Sequence, residues 1–170
     1  MKLNRLLIAC LLCYAVNAPA QMLRRGNMAP EITLPLASGQ SFSLSSLKGS
    51  LVLIDFWASW CAPCVKEQPE LKALYHRYTA GVKDHRFEIL GVSLDKNRAD
   101  WENAIRQQGN TWPQVSDLKF WRSQTAKDYA VDELPFNVLI DEKGRIIAIN
   151  RHGKTLKKII QDHFTKEKSK

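Results

Sequence analysis

Two cysteines separated by two residues, in Trp60-Cys61-Ala62-Pro63-Cys64, are the part of this sequence best suited to chemistry. They open a predicted helix over residues 61–80, and side chains at positions i and i+3 of a first turn can close a small disulfide ring. The helix dipole and the free N–H groups at this end stabilise a thiolate at Cys61 and lower its pKa. Cys64 lies one turn deeper. We therefore expect Cys61 to attack a partner disulfide and Cys64 to resolve the mixed disulfide.

Other uses of a cysteine pair fit this sequence less well. Covalent haem attachment needs a His directly after the second Cys, where this chain has Val65. A zinc site needs four ligands, but the other two cysteines, Cys10 and Cys13, belong to the N-terminal segment that is expected to be removed on export, and the histidines show no paired spacing. A purely structural disulfide would close only a very short loop, where the entropic gain is smallest. The pattern predicts a redox pair that needs no metal and no organic cofactor, because the electrons travel through the two sulfurs.

Asp55 is the only charged residue in the apolar run over residues 51–57. Burying an unpaired carboxylate is costly, so we expect its pKa to rise toward neutrality. A carboxyl group with a raised pKa beneath Cys64 is suited to take the proton of that thiol during resolution. The alternative is that Asp55 only forms a hydrogen bond with a neighbouring backbone group.

The surrounding pattern alternates strands with helices. Alternating apolar residues predict a hairpin between residues 32 and 44, and continuous apolar runs predict buried strands. After the hairpin, the predicted elements are strand 51–57, helix 61–80, strand 87–93, helix 100–108, helix 124–130, strand 136–140, strand 145–149 and a last helix around 156–164. This order predicts an α/β fold with one mixed sheet and helices on both faces. Nothing resembles a repeat or a linker, so residues 21–170 are expected to form a single domain.

Composition excludes several classes of protein. Of the 170 residues, 45% are hydrophobic and 25% charged, which is typical of a globular chain rather than a disordered one. The net charge of +8 comes from scattered basic residues and a lysine-rich end, with no recognised nucleic-acid motif. We therefore expect no nucleic-acid partner. Weak attraction to an anionic membrane surface stays open, and the oligomeric state is not fixed by the sequence.

The N-terminus has the pattern of a secretory signal peptide over residues 1–20. Lys2 and Arg5 precede an apolar stretch, and Ala18-Pro19-Ala20 forms a cleavage site before Gln21. An uncleaved anchor, a lipid at Cys10 or a buried helix are the alternatives. Cleavage would remove two of the four cysteines and leave only the Cys61/Cys64 pair. We expect the protein to be exported, to the periplasm or to the outer face of the membrane.

Residues 52–69 closely resemble the active-site segment of thioredoxin-fold proteins. They are most similar to the exported TlpA/ResA branch of thiol:disulfide oxidoreductases. The resemblance continues through residues 91–95, 112–117 and 134–144, and it covers about residues 28–165. It implies a thioredoxin-like fold whose mixed central sheet is flanked by helices on both faces and preceded by an N-terminal β-hairpin.

The resemblance also implies roles for individual residues. Pro135 matches the cis-proline that faces the disulfide, and a cis X-Pro bond is uncommon in proteins. Leu134 matches the residue whose backbone binds the cysteine segment of the partner. Glu67 matches an acidic residue near the site, for which the alternative is a solvated helix position. Asp55 matches the buried acid of ordinary thioredoxins, at a place where the exported branch often carries Asn.

The tryptophans are expected to divide into two groups. Trp60 precedes the first cysteine, and we expect it to form an exposed apolar surface that a partner polypeptide covers. Trp57 lies in the buried strand and is expected in the core. The remaining tryptophans are interpreted as packing residues: Trp101, Trp112 and Trp121.

Together these features predict an exported thiol:disulfide oxidoreductase that reduces disulfides in other extracytoplasmic proteins. Its electrons would come from an upstream protein donor, in many relatives a membrane electron conduit. The same chemistry run as an oxidase or isomerase is the alternative. The Ala62-Pro63 dipeptide lacks the His that stabilises the thiolate in oxidising relatives. A peroxidase is disfavoured because a Pro-x-x-x-Thr-x-x-Cys motif is absent from the sequence, and a non-catalytic peptide-binding module stays open.

Overall fold

The computed structural model describes residues 23–79 and 86–167, so the predicted signal peptide at residues 1–20 lies outside the described residues. The strands are β1 (Thr33–Pro35), β2 (Ser41–Ser43), β3 (Leu51–Trp57), β4 (Phe87–Ser93), β5 (Gln114–Val115), β6 (Phe136–Ile140) and β7 (Ile146–Ile149). The α-helices are α1 (Ala62–Thr79), α2 (Arg98–Gln108), α3 (Gln124–Asp128) and α4 (Gly153–Glu167). Short 3-10 helices cover Leu44–Leu47 and Phe120–Arg122. No helix in the described part of the chain is long and apolar enough to cross a membrane.

A five-stranded mixed sheet forms the centre of the molecule, with the order β5-β4-β3-β6-β7. Strand β3 runs parallel to β4 and antiparallel to β6, and β6 and β7 form an antiparallel pair. Every residue of β3 and β4 is buried, as the continuous apolar runs predict for strands covered on both faces. The predicted mixed sheet is therefore confirmed.

The N-terminal hairpin pairs β1 with β2 in an antiparallel register, which confirms the predicted hairpin. It joins the main sheet through a bridge between Leu36 and Val115. Strand β5, which contains Val115, was not predicted. It has only two residues and therefore no periodicity to detect, and it is positioned by the bond from the Gly91 N–H to the Pro113 carbonyl, 2.9 Å long.

Helices cover both faces of the sheet, as expected. On one face, leucines of β3 pack with leucines of α1 and with apolar residues of α4. On the other face, the alternate residues of β3 pack against α3 and the hairpin. A third cluster joins α2 to the end of β3 through Trp57, Trp101 and the two cysteines. The redox pair thus lies at one end of the sheet, where β3 passes into α1.

Helix ends account for the small differences from the predicted bounds. Helix α2 begins at Arg98 rather than at residue 100, because the Asn97 side chain accepts bonds from the N–H groups of Ala99 and Asp100. It ends where expected, at Gly109, which has a left-handed φ of 61°. Helix α3 ends two residues earlier than predicted, at Asp128.

Candidate active site

A buried carboxylate anchors the loop that leads from β3 to the first cysteine. Asp95 accepts bonds from the Ser59 backbone N–H at 3.1 and 3.2 Å and from the Ser59 hydroxyl at 2.6 Å. It also accepts a bond from the Ser93 hydroxyl at 2.7 Å. Because Asp95 is only 1% exposed, these bonds are shielded from water. The loop between β3 and α1 is therefore held against the end of β4.

Cys61 and Cys64 form a disulfide across the start of α1, with their Cα atoms 5.3 Å apart. The N–H of Cys64 donates to Cys61 Sγ at 3.2 Å, so a backbone donor of the first helical turn already points at that sulfur. After reduction, the same donor and the helix dipole stabilise a thiolate at Cys61. Cys61 is 5% exposed and Cys64 1%, so the second cysteine is the more deeply buried.

The residues predicted to form the partner groove are Trp60, Leu134 and Pro135. The Leu134–Pro135 peptide bond is cis, and both residues are half-buried. Leu134 packs against the cluster that contains both cysteines. Trp60 is 49% exposed, whereas Trp57 is 1% exposed and belongs to the core, as expected. Trp60 thus directly precedes Cys61 and is exposed, while Leu134 packs against the cysteine cluster and is followed by cis-Pro135.

Asp55 is buried in β3 on the face covered by α1. It is 3% exposed, and Gln68 of α1 donates to its Oδ2 at 3.4 Å. Burial is the largest cause that raises the pKa of Asp55 to about 7, and the nearby Glu67 carboxylate raises it further. The Gln68 hydrogen bond and the charge of His152 act in the opposite direction. The raised pKa that the sequence predicted for an acid in an apolar strand is therefore confirmed.

Glu67 is not a solvated helix residue, because it pairs with a histidine at the start of α4. His152 Nδ1 lies 2.9 and 3.0 Å from the two carboxylate oxygens of Glu67, whose side chain is 13% exposed. The hydrogen bond to Glu67 is the main cause that raises the pKa of His152, with burial opposing it. The pair places an acid and a histidine one turn beyond Cys64.

The position of His152 is fixed by Asn137, the register partner of Asp55 in β6. The Asn137 side chain donates to the Arg151 carbonyl at 2.7 Å and accepts from the Arg151 N–H at 3.0 Å. Asn150 contacts the other ring nitrogen of His152 through Oδ1 at 2.8 Å. The turn before α4 is therefore clamped to the strand beside Asp55.

Several of these site residues were missed by sequence reasoning. His152, Gln68 and Asn137 have ordinary spacing, and the His152–Glu67 contact joins positions 85 residues apart. Neither hydrophobic periodicity nor motif spacing carries a signal for such a contact. Asn110 is a further member, since it donates to Gln68 Oε1 at 2.9 Å and fixes the amide that faces Asp55. Within residues 23–79 and 86–167, no group of His, Cys, Asp or Glu is arranged to hold a metal ion.

Comparison with known proteins gives a consistent result. A family model described as AhpC/TSA matches residues 25–149 of this chain. The chain is similar to the thiol-disulfide oxidoreductase ResA of Bacillus cereus, with 31% identity over 159 residues, which cover 86% of this chain and 88% of the relative. This agrees with the TlpA/ResA resemblance seen in the sequence.

Solved structures show the same likeness. The structure is similar to a thiol-disulfide oxidoreductase from Bacteroides fragilis NCTC 9343, with a TM-score of 0.74 and 37% identity, covering 80% of this chain and 98% of that one. It is also similar to the thioredoxin domain of a thiol-disulfide oxidoreductase from Bacteroides vulgatus, with a TM-score of 0.75 and 35% identity, covering 83% and 98% of the two chains.

Proposed function

The chain belongs to the AhpC/TSA family and is a thiol-disulfide oxidoreductase of the thioredoxin fold, and from this premise we propose that it is an exported reductant of disulfides in extracytoplasmic proteins. Export is supported by the signal-peptide pattern of residues 1–20, after which residues 21–170 form one domain. A mature chain with the Cys61/Cys64 pair as its only cysteines suits an oxidising compartment, because no third thiol is present to mispair.

The reaction is a pair of thiol–disulfide exchanges. The Cys61 thiolate attacks one sulfur of a substrate disulfide, so that the substrate S–S bond breaks, a mixed disulfide forms and the other substrate sulfur leaves as a thiolate. Cys64 then loses its proton and attacks Cys61 Sγ. This second step forms the Cys61–Cys64 disulfide, breaks the mixed disulfide and releases the second substrate sulfur. Two electrons pass from the protein to the substrate, and no other cofactor takes part.

The observation that carries the proposed exchange chemistry is the buried carboxyl of Asp55 beneath α1. Cys64 is 1% exposed, so its proton needs an internal acceptor during resolution. Asp55 has a pKa of about 7 and is tied by Gln68 to the helix that carries Cys64. A carboxylate with that pKa takes a proton near neutral pH. The nearby Glu67 raises the pKa of Asp55, and His152 lowers it. We assign Asp55 the role of base, with Glu67 assisting it.

Partner binding uses the exposed edge of the site. Trp60 offers an apolar surface, and Leu134 with cis-Pro135 borders the disulfide from the opposite loop. Each reducing cycle leaves the Cys61–Cys64 disulfide, which another protein must reduce again. An upstream dithiol protein that draws electrons from across the membrane is the donor consistent with an exported location. Oxidase or isomerase activity would use the same cysteines in the opposite direction or in both.

Turnover of insulin with dithiothreitol as electron source tests catalysis. The purified protein should accelerate insulin reduction, Cys61→Ser should abolish the acceleration, and Cys64→Ser should accumulate a mixed disulfide with insulin because the resolving step is lost. Partner binding without turnover in the wild-type protein would contradict the proposal and favour a peptide-binding module.

Export is tested separately. The full-length gene is expressed in a Gram-negative host, and the N-terminus of the protein in the periplasmic fraction is sequenced. We expect it to begin at Gln21, after Ala18-Pro19-Ala20. A chain that begins at Met1, or that is acylated at Cys10, would contradict cleavage at this site.

A further inference from the structure

Three aromatic side chains meet beside the first cysteine, and we call them the aromatic wall: Trp60, Phe120 and Trp121. The ring centroid of Trp60 lies 5.2 Å from that of Phe120 and 6.2 Å from that of Trp121, and the latter two are 5.8 Å apart. Trp60 is 49% exposed and the other two are half-buried. Trp121 packs against the core, as expected. It also contacts the rings of Trp60 and Phe120 and so belongs to this surface.

The backbone of the loop that carries the wall is held in an unfavourable conformation. Leu118 and Phe120 both have φ of 56°, in the left-handed region that residues other than glycine rarely adopt. The loop is fixed from below, because Ser116 Oγ donates to the Ser93 carbonyl at 2.8 Å and accepts the Leu118 N–H at 3.1 Å. This conformation leaves Phe120 against Trp60 at the surface, so burial in the core does not account for it.

Basic residues lie near the aromatic wall, and acidic residues lie in the loop before Leu134. Lys96 Nζ lies 4.3 Å from the centre of the Phe120 ring, and the exposed Lys119 and Arg122 flank the wall in sequence. The opposite loop carries two exposed acids, Asp132 and Glu133, directly before Leu134. Leu118 of the first loop and Leu134 of the second both pack against the cluster that contains the cysteines. Three basic residues therefore lie near the aromatic wall, whose loop also contains Asp117, and two acids directly precede Leu134 in a second loop that packs against the same cysteine cluster.

We propose that the aromatic wall binds an apolar side chain next to the reactive cysteine of a substrate protein, and that its basic rim selects acidic residues on that side. This inference rests on the proposed function and specifies the substrate class of the same site. The wall forms no covalent bond, so the exchange stays with Cys61 and Cys64. Apolar contact with exposed aromatic rings supplies the docking, and opposite charge supplies the selection.

Four synthetic octapeptides test the inference. Each carries one cysteine as a mixed disulfide with 2-mercaptoethanol, with Phe or Gly beside the cysteine and either two Asp or two Lys on the same flank. The second-order rate of reduction by the pre-reduced protein is followed by tryptophan fluorescence. We expect the Phe/Asp peptide to react at least tenfold faster than the Gly/Lys peptide, because only the former matches both the wall and its rim.

Two variants assign the preference to residues. Phe120→Gly keeps a residue suited to positive φ, and it should reduce the Phe-to-Gly rate ratio at least fivefold. Lys96→Glu should cancel the preference for Asp over Lys. Lys143→Glu makes the same charge change in the turn between β6 and β7, at the far end of β6 from Pro135, and should leave both ratios unchanged. A variant that changes the general reactivity of Cys61 changes the rates of all four peptides by the same factor. The ratio between two peptides is therefore unaffected by such a change.

Failure of this inference is distinguishable from failure of the proposed function. Equal rates for all four peptides in the wild-type protein, or a Phe preference that survives Phe120→Gly, would overturn docking at the wall. A charge preference that responds equally to Lys96→Glu and Lys143→Glu would overturn the role of the rim. Bis(2-hydroxyethyl) disulfide, which is small and uncharged, serves as the reference substrate, and a wild-type protein that fails to reduce it would contradict the proposed function itself.

Discussion

Asp55 is the base that we propose for the resolving step, and its substitution is the first prediction at the scale of single residues. Below its pKa of about 7 the group is protonated and cannot accept the Cys64 proton, whereas above that pH it is a base. Wild-type turnover should therefore rise through pH 7. Asp55→Asn should be several-fold slower at pH 8 without unfolding. Identical pH profiles between pH 6 and 9 for the variant and the wild type would contradict the role.

The same pKa predicts how stability depends on pH. Because the pKa of Asp55 rises from the ordinary aspartate value of 3.8 to about 7 on folding, the folded state binds a proton that the unfolded state releases. The stabilisation of the protonated form is complete below pH 4 and is lost as the pH rises to 7, by on the order of 4 kcal/mol. Urea unfolding should find Asp55→Asn more stable than wild type at pH 8 and near equality at pH 4. A constant difference would contradict this linkage.

His152 is expected to act on turnover through Asp55. Its charge lowers the pKa of Asp55, so His152→Gln should move the midpoint of the turnover profile upward. The acidic groups that face His152 are Glu67 of α1, Asp55 of β3 and Glu133 of the loop before Pro135.

A second histidine provides the matched control for this variant. His163 Nε2 lies 2.8 Å from Glu142 Oε1, so it makes a similar contact with an acid of the β6–β7 turn. His163→Gln should leave the midpoint unchanged, because this pair lies away from the cysteines. Equal shifts in both variants would assign the effect to general charge rather than to His152. Because the pKa of His152 is raised in the folded state, its pairing with Glu67 stabilises the fold below about pH 6.5 and is lost as the pH rises through the folded pKa.

At the scale of elements, the contact between β4 and β5 supports the strand that leads to the cysteines. Gly91 of β4 leaves space for the Gln114 side chain, whose Oε1 would clash with a Cβ at position 91. Gln114 Oε1 in turn accepts the Trp57 indole N–H at 2.9 Å, at the end of β3. The glycine thus lets a side chain of the edge strand bind the buried indole two strands away.

Gly91→Ala should displace Gln114 and leave the indole N–H without its partner. We expect destabilisation of about 1–3 kcal/mol in urea unfolding, the cost of an unsatisfied buried donor. Gln114→Ala removes the same bond without the clash. The double variant should therefore be little worse than Gln114→Ala alone. Full additivity of the two effects would show that the alanine acts elsewhere.

At the scale of the whole molecule, the sequence predicts the strands and helices better than it predicts the side-chain contacts between them. Strands β3 and β4 lie where predicted because burial on both faces leaves a continuous apolar run. The burial of Asp55 was predictable for the same reason, since a lone acid in such a run has no solvent face. Its partners were not, because Gln68 and His152 reach the site only through the docking of α1 and the clamp before α4.

The reduction potential of the Cys61/Cys64 pair tests the central claim most directly. The purified protein is equilibrated in redox buffers, and the fluorescence of Trp57 and Trp60 reports the fraction oxidised. An exported reductant predicts a reversible two-electron transition near the thioredoxin value of about −270 mV. A potential near about −120 mV would contradict the reducing direction and make the protein an oxidant.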